Sequence, residues 1–167
     1  ELSKHNTADD LWISIHNKTK TTGGRHRRFA GPERRMNSPL GELSPTEFLA
    51  RYWQREPCLI RAALPEFDPL LEPDDLAGLA CDPLAESRLL RGPDHSGAWE
   101  LRHGPFDDRD FEALGDRNWT LLVQDVEKHY PPLSGLLDRF DFLPTWRLDD
   151  LMVSFAAAGG SVGAHVD

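Results

Sequence analysis

One pair of side chains in this chain has the spacing for metal chemistry. His165 and Asp167 stand at the end of the run Gly159-Gly160-Ser161-Val162-Gly163-Ala164-His165-Val166-Asp167. In an extended strand residues i and i+2 project to one face, so imidazole and carboxylate would enter one pocket while Val166 points away. Ferrous iron takes mixed nitrogen and oxygen donors. Two histidines and one carboxylate on one face of the ion leave open positions for small ligands. The pair supplies two of those three donors. By itself a His-x-Asp triplet is a weak signal in an Asp-rich chain, and a solvated pair near a terminus is the plainer reading. The third donor would have to lie beyond Asp167, so the site is expected to be incomplete within these 167 residues.

The elements that would position this pair can be read from caps and periodicity. Leu151 to Ala156 reads as a strand, Ala158 to Ser161 as a turn, and Val162 to Asp167 as the next strand, which would carry the two donors. Upstream, Ser44-Pro45-Thr46-Glu47 has the form of a helix start, with Ser as cap, Pro in the first turn and Glu at the third position. Phe48, Leu49, Tyr52 and Trp53 follow at helical spacing, and Pro57 ends the segment. Cys58 to Arg61 reads as a short strand. Asp74 to Ala80 reads as a second helix with acid at its positive end. Ser87–Arg91 and Ala98–Arg102 read as two strands around a Gly-Pro-Asp-His-Ser-Gly turn, and Trp119–Val123 as a further apolar strand. Val126 to Phe140 is helical in part, interrupted by Pro131 and Pro132. Helices followed by strands predict an α+β domain.

Composition bounds the reading. With 39% hydrophobic residues, the chain is long enough for one domain with a core. No apolar run approaches the roughly 20 residues that span a bilayer, and no secretory signal opens the sequence. No membrane association is expected, and a cytoplasmic location is. Cys58 and Cys81 are far apart and not in a Cys-x-x-Cys arrangement, which suits buried reduced thiols, with a disulfide as the alternative. Charge is uneven: residues 1–35 carry +4 and the remainder −13. The basic stretch from Lys18 to Arg35 lacks periodicity. It reads as translated sequence ahead of an initiator at Met36, as a disordered tail, or, least favoured, as a nucleic-acid arm using Arg25, Arg27, Arg28, Arg34 and Arg35. The expected division is therefore 1–35 as a disordered or non-native extension and 36–167 as the domain. There is no Walker-type loop, Gly-x-Ser-x-Gly elbow or zinc-spaced Cys/His cluster.

Phe48-Leu49-Ala50-Arg51-Tyr52-Trp53-Gln54-Arg55-Glu56-Pro57-Cys58-Leu59-Ile60-Arg61 resembles the opening of the JmjC/cupin-type oxygenases. Ser87-Arg88-Leu89, His103-Gly104-Pro105-Phe106, Asn118 to Gln124 and Pro144 to Phe155 follow in the order seen in the bacterial ribosomal oxygenases, arginine hydroxylases acting on a 50S ribosomal protein. The resemblance covers about residues 37–167. It implies N-terminal helices leading into an incomplete double-stranded β-helix, cut at the His-x-Asp motif. It implies Fe(II) and 2-oxoglutarate as cofactors and His165 and Asp167 as iron ligands. The distal histidine and the basic residue that holds the far carboxylate of 2-oxoglutarate would lie downstream, so this stretch alone is expected to be inactive. Where relatives often place small polar residues, this chain has Ala156, Ala157 and Ala158. The implied partner is a basic ribosomal protein, which the −13 charge could help to steer, and the parent protein is implied to be a homodimer. Nucleic acid is not expected as a partner. The alternative function is a non-catalytic cupin-like module that binds a basic protein.

Other candidates have plainer readings. His103 is expected to be structural or solvated. Asp149 and Asp150 could meet a substrate guanidinium, but pairing with Arg147 or solvation is the simpler role. His129-Tyr130 and the tryptophans Trp53, Trp99, Trp119 and Trp146 are expected to pack.

Overall fold

The computed structural model describes residues 38–61, 63–64, 71–93 and 97–164, together with the backbone of 10–17. Five strands form one antiparallel sheet: β1 (Asp10–Asn17), β2 (Ser87–Arg91), β3 (Glu100–His103), β4 (Trp119–Val123) and β5 (Leu148–Ala156), in the order β1-β5-β4-β2-β3. Among the described residues five short α-helices accompany them: α1 (Pro45–Arg51), α2 (Pro73–Ala80), α3 (Asp108–Glu112), α4 (Val126–His129) and α5 (Ser134–Leu137). The α+β class expected from the element pattern is what the chain adopts.

Position in the sheet follows from composition. Every residue of β4, Trp-Thr-Leu-Leu-Val, is buried, as a central strand requires, whereas every residue of β3, Glu-Leu-Arg-His, is exposed, which suits an edge. Trp119, Leu121 and Val123 of β4 join Leu151, Val153 and Phe155 of β5 and Leu89 of β2 in one cluster. Leu76 and Ala80 of α2, Val126 of α4 and Leu133 and Leu136 also belong to it. Each fully buried Leu or Val there contributes about 1.5–3 kcal/mol relative to exposure. By strand alternation, Thr120 and Leu122 project to the opposite face, where Ala156 and Ser154 stand across from them on β5.

Helix starts match their chemistry. The Ser44 hydroxyl accepts from the Glu47 amide at 3.1 Å, capping α1. At α3 the Asp107 carboxylate accepts from the Arg109 and Asp110 amides, and the Asp110 carboxylate answers on the Asp107 amide at 2.9 Å. Asp110 also takes a hydrogen bond from the Arg102 guanidinium, tying α3 to edge strand β3. That bond, followed by the one from the Asp107 amide, holds the Asp110 carboxyl below its ordinary 3.8. A carboxyl with a depressed native pKa stabilises the fold above its unfolded pKa and loses that contribution as pH falls through the native one. The Asp110 carboxyl should therefore titrate by NMR below 3.8 and move upward in Arg102→Met. An unchanged midpoint in the variant would remove Arg102 as the cause.

Several expectations change. Cys58 to Arg61 is not a strand. Pro57 carries no backbone N–H, and the segment packs instead beside Gly41, where Ile60 Cγ2 closes the space. The last strand begins at Leu148 rather than Leu151, and the one before β4 spans Glu100–His103 rather than Ala98–Arg102. Helices do not all precede strands: β1 comes first, inside the segment expected to lie outside the domain, and pairs with β5 from Asp10↔Ala156 to Asn17↔Leu148. Met36 and the basic stretch from 18 to 35 lie outside the described residues. Cys58 and Cys81 are both free and half-buried. Burial, then the nearby Asp108, Asp107 and Asp110, push the Cys81 thiol up, which leaves it protonated and a poor nucleophile.

Candidate metal-ligand arm

His165 and Asp167 lie outside the described residues, and so does Val166. What the structure does describe is the segment that delivers them, Ala157 to Ala164. Val162 to Ala164 is not a strand, contrary to expectation. Gly163 there has φ +73°, and the Gly163 amide donates to the Ser161 hydroxyl at 3.0 Å, a local turn that replaces strand pairing.

This arm is clamped onto the start of β4. The Ala157 amide donates to the Trp119 carbonyl at 3.1 Å, and the Asn118 amide donates to the Ala158 carbonyl at 3.0 Å. Arg117 and Ala158 form a parallel bridge. The Gly160 amide then donates back to the Ala157 carbonyl at 2.6 Å. Finally the Thr120 hydroxyl, buried to 3% exposure, donates to the Ser161 carbonyl at 3.3 Å. Thr120 projects to the face opposite the core cluster, and its bond seats the arm against the first residues of β4.

Two glycines make this path possible. Gly159 sits at φ +76°, a region other residues occupy only with strain. Gly160 is pressed onto backbone: a Cβ there would fall inside the van der Waals envelope of the Trp119 carbonyl oxygen and 2.8 Å from that of Ala157. The indole of Trp99, 43% exposed, lies beside Gly163, with its Cζ2 3.5 Å from where a Cβ would stand. The sequence predicts packing for Trp99; it is instead exposed, beside Gly163, which stands two residues before His165 in the chain. Trp119, by contrast, is core as expected, its ring 5.4 Å from that of Phe155.

The remaining candidates fall elsewhere. His103 is exposed on β3, as expected for a solvated side chain. Asp150 is buried, and its Oδ2 accepts at 3.4 Å from both Gln124 Nε2 and the Asp125 amide, while Gln124 Oε1 accepts from Arg88. This polar chain joins the far ends of β2, β4 and β5 and uses Asp150 inside the fold. Arg147 lies over the Trp146 ring at 4.9 Å. Among the described residues no three His, Cys, Asp or Glu side chains come together as a metal site. The donor chemistry of His165 and Asp167, one imidazole and one carboxylate, fits ferrous iron, and the arm leading to them is held at one end by buried atoms.

No family model matches the chain. Over 125 residues, 75% of its length, it is 44% identical to the ribosomal protein uL16 3-hydroxylase of Escherichia coli (strain K12). Over the same share it is 39% identical to a probable ribosomal oxygenase of Haemophilus influenzae. This stretch is homologous to bacterial ribosomal oxygenases. The chain spans about a third of the length of these relatives, 32% and 30%. Structures of the E. coli ribosomal oxygenase YcfD superpose with a TM-score of 0.69 at 43% identity, covering 75% of this chain and 34% of theirs. One is a complex with cobalt and succinic acid, another with cobalt and 2-oxoglutarate. No helix among the described residues is long and apolar enough to cross a membrane.

Proposed function

We propose that the protein carrying this sequence is an Fe(II)- and 2-oxoglutarate-dependent oxygenase that hydroxylates an arginine side chain of a basic ribosomal protein. The observation that carries the reading is the likeness, in sequence and in fold, to a ribosomal oxygenase whose structure holds cobalt and 2-oxoglutarate. Cobalt stands there for a divalent ion of the ferrous kind. His165 and Asp167 are two of the iron ligands. Residues 36–167 form part of the oxygenase domain, and the five-stranded sheet contributes one wall of a double-stranded β-helix. Iron with 2-oxoglutarate supplies the activation of dioxygen that a C–H hydroxylation requires.

The chain's own residues have three tasks in this reading. His165 and Asp167 bind the ion through nitrogen and oxygen. The clamp of Trp119, Thr120, Ala157 and Gly160 orients the arm that carries them. The net charge of −13 on residues 36–167 raises the encounter rate with a basic ribosomal protein, most strongly at low salt. The protein works in the cytoplasm, where ribosomal proteins are made, and as a homodimer.

The test is a turnover assay on the full-length protein with Fe(II), 2-oxoglutarate and a peptide of the uL16 type. Succinate release together with one oxygen atom added at an arginine of the peptide is the expected result. Peptide binding that needs neither metal nor 2-oxoglutarate, with no succinate, would replace the enzyme with a non-catalytic module that binds basic proteins.

A further inference from the structure

We infer that Thr120 is a positioning residue for the metal centre, acting through the arm rather than on any ligand. The inference rests on the assignment of His165 and Asp167 as iron ligands. Thr120 is a hydroxyl at 3% exposure in the central strand of the sheet, among Trp, Leu and Val. A buried hydroxyl needs a partner, and its partner is the Ser161 carbonyl, four residues before His165. The bond ties the arm to the central strand. The clamps at Ala157 and Ala158 join backbone to backbone and survive any side-chain change there. The Thr120 bond, by contrast, is made by a side chain.

The geometry separates positioning from stability. Ser161 is exposed, so its carbonyl can turn to water when Thr120 no longer donates. Valine has the shape of threonine without the hydroxyl and is at home in a strand. Thr120→Val therefore leaves the sheet packed and releases the arm. With the arm released at Ser161, more of the backbone that leads to His165 must be fixed at the moment the ion binds, and affinity falls by that cost. Serine keeps the hydroxyl and should keep the arm in place.

The experiment measures Co(II) binding by calorimetry and by the visible absorption of the bound ion, in the full-length protein, for wild type, Thr120→Val, Thr120→Ser and His165→Ala. Thermal midpoints are taken without metal. The expected result is Co(II) affinity about tenfold weaker in Thr120→Val, the scale of one hydrogen bond, with an altered Co(II) spectrum, a metal-free midpoint close to wild type and recovery in Thr120→Ser. A lowered midpoint with unchanged Co(II) affinity would make Thr120 an ordinary core residue and overturn the inference. So would equal loss of affinity in Val and Ser, because the hydroxyl would then not be the cause. If His165→Ala binds Co(II) as wild type does, the ligand assignment itself fails, and the inference fails with it by a separate route.

Discussion

His165→Ala in the full-length protein is expected to abolish metal-dependent 2-oxoglutarate turnover and to weaken divalent-metal binding by on the order of 100-fold or more. Losing a group that only supports a ligand costs about 10–100-fold in affinity or activity, and losing the ligand itself should cost at least that. Asp167→Ala should behave alike. Asp167→Glu should not restore activity, because the extra methylene shifts the carboxylate relative to a backbone that is held six residues earlier at Ser161. Calorimetry with Co(II) reads the binding loss, and succinate release reads the activity. His103→Ala is the control: that imidazole is exposed on edge strand β3, and both measurements should stay at wild-type level. Equal losses in His103→Ala and His165→Ala would mean that the arm is not the metal site.

The second large effect is expected at Gly160. A methyl group there meets two backbone carbonyl oxygens, of Trp119 and Ala157, and 3.0 Å away the Thr120 hydroxyl. None of the first two can rotate aside as a flexible side chain would. Relief requires opening the bond from the Ala157 amide to the Trp119 carbonyl, or lifting the arm off the sheet. Gly160→Ala should cost about 3 kcal/mol, at the upper end for overpacking, and lower the thermal midpoint by roughly 6–12 °C for a domain of this size. Metal affinity should fall with it. Two neighbours grade the effect. Gly159→Ala meets only the side chains of Asn118 and Arg117 but must hold φ +76°, which predicts a loss of about 1–2 kcal/mol. Gly135 in α5 faces open space, so Gly135→Ala should be neutral or slightly stabilising. A Gly160→Ala protein as stable as wild type would show that the arm does not lie against β4.

Much of the fold is legible in local sequence signals. The helix at Pro45–Arg51 announces itself through Ser44, Pro45 and Glu47, and the structure has the Ser44 hydroxyl on the Glu47 amide. Asp74 and Asp75 mark the first turn of α2, and Pro131 and Pro132 break the run after α4 into short turns. Such signals are local, a cap or a missing N–H, and need no knowledge of the rest of the chain. The unbroken apolar run Trp119–Val123 likewise carries its burial in its composition.

What failed to be legible was pairing. Leu11, Ile13 and Ile15 alternate with Trp12, Ser14 and His16, a period-two pattern that the neighbouring basic stretch obscured, and only its partner β5 makes Asp10–Asn17 an edge strand. Cys58 to Arg61 has strand composition but pairs with no strand among the described residues, and so is not a strand. Whether an extended segment becomes part of a sheet depends on backbone groups far away in sequence, which composition does not encode.

The same division holds for the candidate site. The types and spacing of His165 and Asp167, and with them the metal chemistry that the pair suits, are properties of the sequence alone. So is the ordered similarity of the preceding segments to ribosomal oxygenases. The seating of the arm belongs to the tertiary structure: Gly160 needs its hydrogen because of a carbonyl 41 residues earlier at Trp119, and Thr120 finds its acceptor at Ser161. Those contacts exist only once β4 and β5 lie side by side. Ligand identity is a matter of side-chain chemistry, whereas ligand placement is a matter of long-range backbone packing.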